Sequence, residues 1–254
     1  MNTKKIIAVL PAYNAAKTLK LTLDDIPNGS IDEIILVDDA SSDDTVRLAR
    51  QYGLHVFVHE KNKGYGGNQK TCYKEALKMG ADIVIMIHPD HQYNPKLVPQ
   101  MLEPLINEEC EAVFGSRMIH KKDALQGGMP KYKFVANIIL TKLENFILGL
   151  NLAEYHSGFR AYSRKVLKHL PLEENSDDFV FDTEIITQLA NNNFKIKEIP
   201  INTKYFKDAS NISLKRSTEY GLGILKTMWK YKMHQWNIKK QKQFTKVSNI
   251  INDK

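Results

Sequence analysis

The stretch EIILVDDASSDDT, residues 33–45, decides the fold. Ile34 to Val37 form a short apolar run of the kind found in strands buried on both faces. Asp38 and Asp39 follow at once, and the polar residues after them suit a turn. Ser42 or Asp43 is placed to cap a helix running to about Tyr52. Two carboxylates just past a buried strand can accept hydrogen bonds from a nucleobase N–H and from ribose hydroxyls. An Asp39 that merely caps its own turn would read the same way at this level.

Working outward, the pattern repeats. IIAVL (6–10) reads as a strand, followed by a helix with Leu19, Leu23 and Ile26 at helical spacing. LHVFV (54–58) is a third strand, and a helix is expected from Asn68 to Met79, stopped by Gly80. DIVIMI (82–87) is a fourth strand, Pro95 opens a helix to about Asn107, and EAVFGS (111–116) is a fifth strand. Such alternation implies an α/β fold, a Rossmann-like, mostly parallel sheet with helices on both faces. Ligands bind such sheets beyond the carboxyl ends of the strands. Pro11, Tyr13 and Asn14, then Asp38 and Asp39, then His88, Asp90 and Gln92 fall at three of those ends. Three polar clusters at three strand ends point to one site.

MIHPDHQYNP (86–95) offers oxygen donors from Asp90 and Gln92 on a tight loop. Mg²⁺ and Mn²⁺ are commonly held by one or two carboxylates together with substrate phosphates. His88 is a further metal ligand or a phosphate contact. KNKGYGGNQKT (61–71) joins Gly64, Gly66 and Gly67 to Lys61 and Lys63 ahead of a helix, an arrangement suited to phosphate, although it matches neither a P-loop nor GxGxxG.

Lys and Arg concentrate towards the carboxyl end. Residues 201–254 carry twelve of them against Asp208, Glu219 and Asp253, a net +9 in a chain of +7, so residues 1–200 sum to −2. A basic end on a near-neutral body suits an anionic partner such as lipid headgroups. KYKFVANIILTKLENFILGL (131–150) reads as a core-facing helix or one lying along a bilayer, and Gly221 to Trp236 interleaves Leu222, Leu225, Trp229 and Trp236 with lysines. From Lys239 onward a frayed tail is expected. No run approaches a membrane span or a secretory leader, and Cys72 and Cys110 lack metal-ligand spacing. The expectation is a cytoplasmic chain with reduced thiols, peripheral at the cytoplasmic membrane face. Neither zinc spacing nor an RNP-type aromatic motif is present, so nucleic acid is not an expected partner.

PAYNAAKTL, VDDASSDDT, NKGYGGN, HPDHQYNP, GSR (115–117), SGFRAYSR (157–164), FDTEI (181–185) and EIP (198–200) occur in this order. In that order the sequence resembles the family 2 glycosyltransferases of the GT-A fold, in particular their dolichol- and polyprenyl-phosphate mannose synthase-like branch. The resemblance covers about residues 5–215, which it implies are the catalytic domain, with 216–254 a basic amphipathic helical extension and tail. It implies an inverting, metal-dependent transfer of a sugar from a UDP- or GDP-linked donor to an acceptor, foremost a polyprenyl phosphate, with Mg²⁺ or Mn²⁺ as cofactor. Pro11, Ala12, Tyr13, Ala15, Val37, Asp38 and Asp39 would hold the nucleoside, with Gly66, His88, Pro89 and Lys204 about the diphosphate. Asp90 and Gln92 would hold the metal, and Arg117 would meet the diphosphate or the acceptor phosphate. Two positions depart from the pattern: His88 stands at the first Asp of D-x-D, and Ala15 stands where mannose synthases usually carry Glu. A hydroxyl acceptor would need a base, for which Asp182 and Glu184, with Asp178 beside them, are the candidates. His156, Ser157 and Arg160 are candidate acceptor contacts, with Arg160 alternatively an ion-pair partner.

Overall fold

A computed structural model of the chain describes residues 4–202 and 214–245. Seven strands form one sheet: β1 (Ile6–Ala12), β2 (Glu33–Asp38), β3 (His55–Val58), β4 (Ile83–Met86), β5 (Ala112–Ser116), β6 (Arg160–Ser163) and β7 (Ile196–Pro200). Their order is β3-β2-β1-β4-β6-β5-β7, and only β6 runs antiparallel to its neighbours β4 and β5. The carboxyl ends of six strands and the amino end of β6 therefore share one edge.

Side chains alternate across the strands and build two cores. Ile7, Val9, Ile35, Val37, Val84 and Met86 pack on one face with α3 (Gly64–Lys78), α7 (Arg164–His169) and α8 (Phe181–Asn191). Ala8, Leu10, Leu36, Ile83 and Ile85 pack on the other with α1 (Leu19–Asp24), α2 (Thr45–Gln51) and α4 (Val98–Ile106). Each fully buried Leu, Ile or Val contributes about 1.5–3 kcal/mol of transfer free energy. Both thiols are free and buried.

Three expectations change. The helix expected from Asn68 starts at Gly64, because the Asp39 carboxylate accepts from the Lys63 and Gly64 amides at 2.8 and 3.0 Å and so caps it from a distance. Local propensity could not reveal a cap twenty-four residues upstream. The segment after Lys239 is not frayed as far as Thr245: Phe244 is fully buried against Tyr231 and His234, and its carbonyl accepts from Asn191 Nδ2 at 2.8 Å.

The third concerns α6 (Lys131–Leu148), which follows α5 (Lys121–Gln126). Its buried positions are Asn137, Thr141 and Glu144, with Phe134 and Ile138 partly buried against Met118 and Met129, whereas Tyr132, Val135, Ile139 and Phe146 face outward, Phe146 at 86% exposure. The neighbouring α9 (Leu214–Gln235) buries Ile224, Met228 and Tyr231 and exposes Leu222, Leu225 and Trp229. No helix among the described residues is long and apolar enough to cross a membrane.

Candidate active site

The β1 end supplies Tyr13, 59% exposed, beside Asn14, whose φ of 53° turns the chain away from the sheet. Pro11 and Ala12 pair with Val37 and Asp38 across β1 and β2. Asp38 Oδ2 accepts from the Ser41 amide at 2.9 Å, while Oδ1 is buried with no hydrogen-bond partner. The Ala15 amide donates to Thr45 Oγ1 at 2.8 Å, so Ala15 fastens the β1 turn to α2. Val37 is buried, and its carbonyl accepts from Asn68 Nδ2 at 3.0 Å.

Beyond β4, Asp90 Oδ1 accepts from the Gln92 amide at 3.1 Å. That closed turn sets Asp90 and Gln92 two residues apart at one strand end, where one carboxylate and one amide oxygen suit Mg²⁺ or Mn²⁺ bound jointly with phosphate oxygens. No cluster of three His, Cys, Asp or Glu able to hold a metal occurs among the described residues. Pro89 is buried, and its carbonyl accepts from Thr22 Oγ1 at 3.2 Å, tying this loop to α1.

His88 is clamped between two rings. Tyr65 stacks on it with centroids 5.7 Å apart and planes 7° apart, and Tyr93 stands against it at 6.0 Å, tilted by 47°. Burial in this clamp lowers the pKa of His88 below the ordinary imidazole value, so the ring stays neutral at neutral pH. Its Nε2 edge abuts Gly158, where an added Cβ would lie 2.5 Å away. The same Tyr65 follows Gly64, whose amide sits on Asp39. The Asp39 and Asp90 turns both follow strands at the carboxyl edge of the sheet, and Gly64, Tyr65 and His88 link them along it.

Arg117, at the β5 end, is tied to buried Glu154: its backbone amide donates to Oε2 at 2.7 Å and Nε donates to Oε1 at 2.8 Å. Burial alone would raise the Glu154 pKa, but the charge and hydrogen bonds of Arg117 outweigh it and hold the carboxylate ionised. Half-buried Lys133 lies near enough that burial, and then repulsion from Arg117, lower its pKa. Glu154 thus neutralises Arg117, and Lys133 brings a second cation beside the pair. Lys133 escaped the sequence reading because it looks like any other lysine on an amphipathic helix.

Several expected contacts are elsewhere engaged. The glycine segment does not cradle phosphate: the Gly66 and Gly67 amides donate to the Asp177 carbonyl at 2.8 and 3.2 Å. A Cβ on Gly66 would stand 2.3 Å from the Ser176 carbonyl oxygen, so Gly66 permits close packing instead. Gly66→Ala is accordingly expected to cost about 1–3 kcal/mol in urea unfolding through overpacking; an unchanged midpoint would show that this contact can yield.

Arg160 is 1% exposed, so it is a buried ion-pair partner and not an acceptor contact. It donates to the carbonyls of Ser157 (2.7 Å), Asp182 (3.2 Å) and Tyr155 (2.8 Å) and pairs with Asp182 Oδ1 at 3.3 Å. Ser157 Oγ donates to the Gly115 carbonyl, and Ser157 is buried. His156 is likewise enclosed, with Nδ1 3.1 Å from Tyr220 Oη and Nε2 3.3 Å from Glu144 Oε2. Asp182 is buried and bonded to Tyr65 Oη at 2.9 Å and Gln69 Nε2 at 3.3 Å. Glu184, two residues further along α8, accepts from the Ser176 amide at 2.5 Å and serves the 176–178 loop. Helical geometry explains this, since residues i and i+2 lie on different faces. Lys204 lies outside the described residues.

Residues 7–171 match the family described as Glycosyl transferase family 2. The chain is 30% identical to the UDP-N-acetylglucosamine–dolichyl-phosphate N-acetylglucosaminyltransferase of Methanococcus voltae, over 88% of this chain and 94% of that one. It is 26% identical to the undecaprenyl-phosphate mannosyltransferase of Micrococcus luteus, over 78% and 82% of the two chains. Among solved structures, glucosyl-3-phosphoglycerate synthase from Mycobacterium tuberculosis, in complex with Mn²⁺, UDP and phosphoglyceric acid, superposes with a TM-score of 0.69 at 21% identity, covering 90% of this chain and 78% of that one. With a GT-A sheet and this match across most of its length, the chain belongs to the family 2 glycosyltransferases.

Proposed function

We propose that this glycosyltransferase moves a sugar from a nucleoside diphosphate to a polyprenyl phosphate at a bilayer surface, by direct displacement with inversion. The observation that carries the reading is the state of the candidate bases. Asp182 is bonded to Arg160, Tyr65 and Gln69, and Glu184 is bonded to the Ser176 amide. Asp178 accepts from the Phe179 amide at 2.8 Å. All three carboxylates are thus engaged within the protein. A phosphate monoester, with a second pKa of about 6, needs no such base at neutral pH. The names of the M. voltae and M. luteus relatives, dolichyl-phosphate and undecaprenyl-phosphate transferases, support the same acceptor class.

In this reading Tyr13, Asp39 and the 11–15 turn hold the nucleoside. Asp90 and Gln92 would hold Mg²⁺ or Mn²⁺, which when bound would supply positive charge to the departing diphosphate; the Mn²⁺ found together with UDP in the M. tuberculosis synthase complex supports this donor chemistry. Arg117, oriented by Glu154, and Lys133 draw in the second anion and align it for attack at the anomeric carbon. His88, neutral and clamped, links the two strand-end turns. The outward apolar residues of α6 and α9, with Lys226 exposed among them, suit the headgroup boundary of an anionic bilayer.

The test is transfer of labelled sugar from a panel of nucleotide-sugars to polyprenyl phosphate and to oligosaccharides, alongside sedimentation with anionic liposomes. Product on the lipid phosphate is expected, and Phe146→Glu with Trp229→Glu should release the protein from the vesicles. Product on oligosaccharide alone would refute the acceptor, and wild-type protein staying in the supernatant at low salt would refute the docking.

A further inference from the structure

Asp39 is expected to read the nucleobase, yet most of its carboxylate is already occupied. An ionised carboxylate has about four acceptor positions. Among the described residues, Oδ1 takes the Lys63 amide at 2.8 Å and His59 Nδ1 at 2.7 Å, and Oδ2 takes the Gly64 amide at 3.0 Å. Oδ1 is therefore filled, and one acceptor position is left, on Oδ2. His59 is 7% exposed, and its Nε2 lies 2.9 Å from Thr71 Oγ1. The carboxylate on Nδ1 keeps the proton on that nitrogen. Backbone amides make two of the three bonds, so among the described residues His59 is the one side chain that sets how many acceptors remain.

Resting on the reading that this edge of the sheet receives a nucleoside diphosphate, we infer that Asp39, with Oδ1 filled by His59, presents a single acceptor and so selects uridine over guanosine diphosphate. Uracil offers one ring N–H, flanked by two carbonyl oxygens, and needs one acceptor. Guanine offers N1–H and its amino group side by side, which use both oxygens of a carboxylate together. Here the second donor would meet an oxygen already saturated and go unpaired as the base is buried. Cytosine presents a lone pair at its ring N3, which the carboxylate oxygen repels. His59 acts through Asp39 and is a positioning residue for specificity.

Isothermal titration of the full chain with UDP, GDP and CDP, at fixed Mg²⁺, tests this. UDP should bind about tenfold or more tighter than GDP or CDP, the scale of one unpaired buried donor. His59→Phe keeps the ring volume and frees one position on Oδ1, so the UDP preference over GDP should shrink several-fold. His59→Asn retains a donor towards Asp39 and should keep the wild-type preference. Wild-type protein binding GDP as tightly as UDP overturns the inference, and equal shifts in both variants overturn the role of His59. Failure of all three nucleotides to bind would instead bring down the donor reading itself. Should His59→Phe fail to fold, the wild-type ratio and His59→Asn decide the matter.

Discussion

Asp90→Asn is expected to lower kcat by about 10²–10³-fold with little change in thermal stability. The reason is local. Asp90 Oδ1 accepts from the Gln92 amide, and an asparagine oxygen can make the same bond, so the turn survives while its negative charge is lost. Charge at that turn is what a divalent cation needs, and the leaving diphosphate is where the reaction accumulates negative charge. Nucleoside diphosphate affinity should also become insensitive to added Mn²⁺. Steady-state kinetics and titration with and without Mn²⁺ read both effects. Near-normal turnover in this variant would remove Asp90 from the chemistry.

Arg160→Met should destabilise the fold by about 3–5 kcal/mol, the cost of leaving one partner of a buried ion pair alone. Arg160 has its pKa raised despite burial, because Asp182 outweighs the loss of water around the guanidinium. Methionine occupies similar volume but satisfies neither the Asp182 carboxylate nor the three carbonyls that Arg160 holds. A fall in Tm of roughly 10 °C is expected for a chain of this size. Replacing Asp182 by Leu in the same molecule should recover part of that loss, since the stranded carboxylate is then gone. A Tm within a degree or two of wild type would mean that water reaches Asp182.

The strand ends were legible because apolar runs are contiguous and the polar residues after them are few. Asp38, Asp39, Asp90 and Gln92 could be placed on one edge from the alternation alone. What escaped were the bonds made across long sequence distances. Nothing in KNKGYGGN says that its amides go to Asp39 and to the Asp177 carbonyl. SGFRAYS left Arg160 open between an acceptor contact and an ion pair, and only the buried bond to Asp182 decides for the latter. Pattern reading assigns such residues to ligands because it sees charge and glycine but not the partner that consumes them. The antiparallel β6 was hidden for a related reason: four residues starting with a charged one carry too little periodicity to separate a strand from a loop.

The apolar outer face of α6 bears on handling. Solubility engineering ordinarily replaces outward apolar side chains with charged ones and leaves the buried ones alone. On this helix that recipe would strip Val135, Ile139 and Phe146, while the hydrophilic trio it is meant to imitate already sits within the protein. Mild detergent, which covers the greasy flank without altering it, is the gentler way to keep the enzyme monodisperse.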